Sequence, residues 1–169
     1  MGLHRRATYS PMKQVDGARI CVKEVLNDGK SESVVIANDG HVEQPLTGWT
    51  LVSLQGLQVF RFDDGTVLRP GSPIRVTSGE GVAHRPPAVL GWTDQTVWSN
   101  RGDVALVFDY EGEEVCKFAY PASRAEQAAR LPRHLLVQDE NGSYRIEAIR
   151  RENVRDRPKP AANSGKSRA

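Results

Sequence analysis

The sequence predicts an all-β protein, an antiparallel β-sandwich or barrel with a short helix and a β-hairpin appended on its C-terminal side. Short stretches of β-branched and aromatic residues alternate in polarity with period two, as half-buried strands do. Turn sequences built on Asn, Asp, Gly and Pro interrupt them roughly every 8–12 residues, the spacing of sandwiches and barrels. Helix-forming composition enters only after Pro121.

Residues 1–18 show no periodicity and contain Pro11 and Gly17, so they read as a flexible leader. Arg19–Val25 is the first strand, ended by the turn residues Asn27-Asp28-Gly29. Ser33–Ala37 is the second, ended by Asn38-Asp39-Gly40. Leu46-Thr47-Gly48 then leads into Trp49–Leu54, where alternation sets Trp49 and Leu51 on the core face. In Gln58–Phe62, Phe60 and Phe62 share a face, and Asp63-Asp64-Gly65-Thr66 is a tight-turn sequence. Pro70-Gly71 turns the chain into Ile74–Thr77.

The stretch 78–96 reads as one long loop, punctuated by Gly79, Gly81, Pro86, Pro87 and Gly91, and loops of that length carry function. Beyond Trp98, the run Val104–Phe108 places Val104, Leu106 and Phe108 together as a core face. Val115–Tyr120 does the same with Cys116, Phe118 and Tyr120.

Ser123 to Glu126 has the spacing of a capping box, which predicts a short helix over 125–130. Leu135–Val137 and Tyr144–Ile149, joined through Asp139-Glu140-Asn141-Gly142, predict the hairpin. The expected organisation is a leader over 1–18, a sandwich over 19–120, a helix and hairpin over 121–150, and a basic disordered tail over 151–169.

Charge is distributed unevenly. Lys and Arg outnumber Asp and Glu by four to one in residues 1–19 and by eight to three in 143–169, whereas the centre has eleven basic against seventeen acidic residues. Basic ends around an acidic body suit a polyanion held by its phosphates, and suit solvated tails equally well. No run of about 18 apolar residues exists to cross a membrane. Met1–Val15 has no apolar core of a secretory signal, so a cytoplasmic location is expected. The cysteines Cys21 and Cys116 have no metal spacing and opposite facing, and two free thiols are expected.

Four pieces of sequence resemble the lamin tail domain, the immunoglobulin-like module of nuclear lamins that also occurs in bacterial proteins. Glu32 to Gly40 is similar to its second strand, and Leu46-x-Gly48-Trp49-x-Leu51 to its "Leu-x-Gly-Trp-x-Leu" signature. Val67-Leu68-x-Pro70-Gly71 is similar to its "Leu-x-Pro-Gly" turn, and Trp98-x-Asn100-x-Gly102-Asp103 to a strand start found in bacterial members. The resemblance spans about residues 19–120. It implies an immunoglobulin-like β-sandwich without an active site, serving as an interaction module. In lamins such domains contact chromatin, DNA and envelope proteins. Bacterial ones often accompany secreted enzymes.

Candidate residues divide accordingly. Trp49, Trp98, Leu51, Phe60, Leu106 and Phe118 are expected in the core. Trp92 and Arg85 in the 78–96 loop, with Arg145, Arg150, Arg151, Arg155, Arg157 and Lys159, are the expected binding residues for an unknown protein or a nucleic acid held weakly and salt-sensitively. The scattered histidines leave no metal-ligand spacing, and no cofactor is expected. A rival reading gathers Asp94, Asp103, His41 and His84 into a hydrolase site at one end of the sandwich. A third makes the chain an assembly subunit that pairs through sheet edges.

Overall fold

The computed structural model describes residues 10–149. Its strands are β1 (Ile20–Asn27), β2 (Ser31–Asn38), β3 (Gln44–Pro45), β4 (Thr50–Ser53), β5 (Gln58–Arg61), β6 (Val67–Leu68), β7 (Ile74–Gly79), β8 (Val89–Thr93), β9 (Asp103–Phe108), β10 (Glu114–Tyr120), β11 (His134–Gln138) and β12 (Tyr144–Ala148). Two four-stranded sheets, ordered β1-β2-β7-β8 and β10-β9-β4-β5, form an immunoglobulin-like sandwich. The pair β3-β6 and the hairpin β11-β12 are separate two-stranded sheets.

Alternation explains the inner faces. Ile20 and Val22, Val34 and Ile36, and Ile74 and Val76 come from one sheet. They meet Trp49, Leu51, Ala105 and Val107 from the other in a single buried cluster. Trp49 is placed by the turn before it. The amide of Trp49 bonds the Leu46 carbonyl at 2.9 Å across Thr47-Gly48, and Gly48 has φ +78°. That positive φ at the third turn position suits glycine, and a Cβ there would also lie 3.1 Å from Cβ of Tyr110.

Five expectations change in the structure. The 78–96 stretch is not one loop, because β7 continues to Gly79 and β8 pairs with it in parallel, so the sandwich is not wholly antiparallel. Gly91 inside Val89–Thr93, close behind Pro86-Pro87, disguises that strand as loop. The leader is docked from residue 12 onward. The Met12 carbonyl accepts the Trp49 indole N–H at 2.8 Å, and the buried Gln44 side chain bonds the Val15 amide at 2.7 Å and the Lys13 carbonyl at 3.2 Å. These bonds need no apolar periodicity, so pattern reading passes over them.

Leu106 and Phe108 are fully buried but face away from the intersheet core, which receives Ala105 and Val107 instead. The run from Val104 to Phe108 is apolar on both parities because β9 is covered on both sides. Period two cannot orient such a strand. The outer cover is the hairpin, whose Leu136, Tyr144 and Ile146 pack on Val52, Leu106 and Phe108.

The capping box does not form. A 3-10 turn occupies Ala122–Arg124, so Ser123 lies inside it, and α1 (Ala125–Ala129) starts behind Arg124 without a side-chain cap. Finally, β1, β2 and β11 run one or two residues past the ends of the apolar runs that predicted them, since ladder hydrogen bonds continue past the buried face, whereas β12 stops at Ala148, one residue short of the expected Ile149.

Candidate functional site

Two buried carboxylates organise one end of the sandwich. Glu32 on β2 accepts the amides of Val97 and Trp98 at 2.8 and 3.0 Å and the Ser78 hydroxyl at 2.6 Å. It thereby ties the segment before β9 to the first sheet. Asp103 accepts the Ser53 hydroxyl at 2.6 Å and the amides of Gln55, Ser99 and Val104 at 3.0, 3.3 and 2.8 Å. Every oxygen is committed to the fold, and neither group has a free face for general acid or base work.

The residues of the hydrolase reading do not converge. Asp103 is consumed as above, and Asp94 is exposed and bonded to its neighbour Gln95 at 3.0 Å. His84 accepts the Gly91 amide at 3.0 Å through Nδ1, while the His41 ring lies beside Gly17. Among the described residues no three His, Cys, Asp or Glu side chains gather as metal ligands.

Trp92 is half-buried on β8 and belongs to an aromatic ladder. Its ring centroid lies 5.6 Å from Phe60 and 6.0 Å from Trp98, and Phe60 lies 5.2 Å from Phe62. The ladder closes the side where β8 and β5 border the two sheets, so most of the indole is spent on packing. Trp49, Trp98 and Leu51 lie in the intersheet core, and Phe60 and Phe118 pack against it partly exposed. Arg85 is exposed, and its backbone exchanges hydrogen bonds with Val89 at 2.8 and 3.2 Å. With the His84 bond to Gly91, this covers much of the free edge of β8 and leaves little of it to pair with another chain.

The thiols are both free. Burial, ahead of any charge, pushes the Cys116 thiol up to about 12, and burial followed by a bond to Asp39 raises Cys21 as well.

The appendage carries chemistry that the alternation patterns do not reveal. His134, buried at the start of β11, meets the buried Glu114 at 3.0 Å, and Lys117 stands 3.4 Å from the same carboxylate. The Leu136 amide bonds the Gly112 carbonyl at 2.8 Å. A lone histidine and a glutamate in an acidic turn offer no sequence signal for this pair.

A basic strip runs beside β10, from Arg101 and Arg124 near its Tyr120 end to Arg133, whose guanidinium donates to the Glu114 carbonyl at 2.5 Å. Arg101, Arg124, Arg130 and Arg133 are all exposed, and among the described residues none has a carboxylate within 4.0 Å. The Arg124 guanidinium folds over Gly102, next to Arg101, and the Ile149 amide bonds the Arg133 carbonyl at 2.7 Å. The hairpin thus ends beside the strip. Of the expected basic residues, Arg145 is ion-paired with Glu147 at 2.9 Å. Arg150, Arg151, Arg155, Arg157 and Lys159 lie outside the described residues. Arg101, Arg124, Arg130 and Arg133 are scattered singly along an acidic stretch of sequence, so only the fold sets Arg101 beside Arg124 and Arg133 beside β10.

The family model described as Lamin Tail Domain matches residues 14–122. Human Lamin-B2 is 31% identical over 101 residues, covering 57% of this chain and 16% of the lamin, so the chain spans about one sixth of that relative's length. The match stops at the 3-10 turn, which leaves α1 and the hairpin beyond it. Since the matched residues run from Gln14 on the docked N-terminal segment through both sheets to Ala122, this chain belongs to the lamin tail domain family.

Proposed function

We propose that the chain is a non-catalytic interaction module that holds a nucleic acid or similar polyanion through the basic strip and the basic residues that follow it. One observation supports this above the others: Arg101, Arg124, Arg130 and Arg133 stand without carboxylate partners, and the hairpin ends at Arg133. In sequence the next residues are Arg150 and Arg151, followed by Arg155, Arg157 and Lys159. Arginine forks suit phosphate oxygens, and releasing counterions from a phosphate backbone supplies affinity without base contacts. The carboxylates of Glu32 and Asp103, each saturated with donors, support the absence of catalysis.

The test is fluorescence anisotropy with a labelled DNA duplex of mixed sequence. Binding is expected to be weak and indifferent to sequence, with log affinity falling against log salt by about 0.9 for each phosphate neutralised. Deleting residues 150–169 should remove most of it, and the Arg101→Glu, Arg130→Glu double variant should weaken what remains. Affinity that ignores both salt and deletion would sink the reading.

A further inference from the structure

The two sheets differ in what covers their outer faces. The hairpin lies over β9 and β4, whereas the outer face of β1-β2-β7 carries a groove of about 500 Å³. Ser31, Ser33 and Thr77 line it as a floor of small hydroxyl side chains. Leu26, 47% exposed, forms one wall, and the turn at Gly81 forms the other. That turn sits close, since a Cβ at Gly81 would lie 2.8 Å from the Ser31 hydroxyl.

Arg75 on β7 is the one cation among the lining residues. Its Nη1 donates to Ser33 Oγ at 2.7 Å, and among the described residues no carboxylate comes within 4.0 Å of it. The acids nearby are otherwise engaged or distant. Asp28 Oδ1 accepts the amides of Lys30 and Ser31 at 2.9 and 2.7 Å, which hold its carboxyl below the usual range, the Ser31 bond most of all. Glu32 turns inward to Val97 and Trp98. Glu24 shares the cross-strand row of Arg75 through Val35 but lies two strands away, at about 4.8 Å per strand.

A half-buried guanidinium with most of its donors unused, in a groove walled by the exposed Leu26, matches a carboxylate with apolar neighbours. We propose that this groove binds an extended segment of a partner polypeptide in which an acidic side chain is flanked by aliphatic ones. The carboxylate takes the open side of the Arg75 fork, and an aliphatic neighbour packs on Leu26. The Ser31 hydroxyl stands ready for a main-chain group. This surface is separate from the basic strip and does not depend on the polyanion reading.

The experiment is an amide and arginine-side-chain NMR titration of the full chain with two capped tripeptides, acetyl-Leu-Glu-Leu amide and its Leu-Gln-Leu counterpart. The glutamate peptide is expected to shift Ser31, Ser33, Thr77 and the Nε–H of Arg75, and to bind about ten-fold or more tightly than the glutamine peptide. Arg75→Gln should abolish that preference, while deletion of 150–169 and added DNA should leave it unchanged. Equal affinity for the two peptides, shifts centred elsewhere, or no shifts at all overturn the proposal. The comparison of two peptides on the unmutated chain holds even if Arg75→Gln disturbs the fold.

Discussion

Replacing Glu32 with glutamine changes one oxygen for an amino group and almost nothing in shape. In the native site Oε2 takes the Val97 amide and the Ser78 hydroxyl, and Oε1 takes the Trp98 amide. Whichever way a glutamine side chain turns, its NH₂ confronts one of those two backbone N–H groups, donor against donor. Val97 and Trp98 are buried, so no water replaces the lost acceptor. A charge-assisted hydrogen bond is worth about 1.5–3 kcal/mol, and an orphaned buried donor costs about 1–3. The two overlap, which puts Glu32→Gln at about 3 kcal/mol of lost stability.

In urea unfolding followed by tryptophan fluorescence, with a slope of about 1–3 kcal/mol per molar, this moves the midpoint down by about 1–3 M. Glu24→Gln, on the exposed face of β1, should stay within about 0.5 kcal/mol. If Glu32→Gln costs less than about 1 kcal/mol, the carboxylate is not what holds the segment before β9.

Three further outcomes are expected. Trp49→Ala should cost about 3–5 kcal/mol and speed amide exchange in residues 12–16, since the indole both fills the core and holds the Met12 carbonyl; a native-like melt would refute this. Leu136→Ala should cost about 2–4 kcal/mol and raise binding of a hydrophobic dye as Val52, Leu106 and Phe108 lose their cover, whereas unchanged dye binding would mean the hairpin is not that cover. Alkaline pH should destabilise the protein partly through Cys116. Below the ordinary thiol value of about 9 both states keep the proton, and between there and about 12 the unfolded state ionises first, so stability falls as pH rises. Midpoints of the Cys116→Ala variant should fall less steeply from pH 8 to 10, and parallel slopes would reject burial as the cause.

The inner faces were legible because β1, β2, β4 and β7 have one apolar parity facing the intersheet core, and turn residues mark their ends. Legibility failed where another force replaced alternation. β9 is apolar on both parities, so its sense could not be read. β8 is a parallel edge strand broken in pattern by Gly91, and residues 12–16 are held by polar side chains rather than by burial. The candidate surface was half legible. Basic residues after Tyr144 stood out as a cluster in sequence, but Arg101 meets Arg124 only through the turn over Gly102, and Arg133 reaches β10 only through the docking of the hairpin. Arg75 looked like any solvated strand residue, because its place in a groove depends on the approach of the 79–82 turn across β2.

The order of strands in the two sheets has a kinetic consequence. Each sheet contains a hairpin of near neighbours, β1-β2 and β4-β5, that closes at little entropic cost. The joints that complete the sheets are remote, with Val34 meeting Val76 and Leu51 meeting Val107. Closing such long loops precedes any reward from core burial, and the cost grows with the logarithm of loop length. Folding should therefore wait on two distant encounters, with refolding times of about milliseconds to seconds. Until β9 arrives, the faces of β4 stand open to association with other chains.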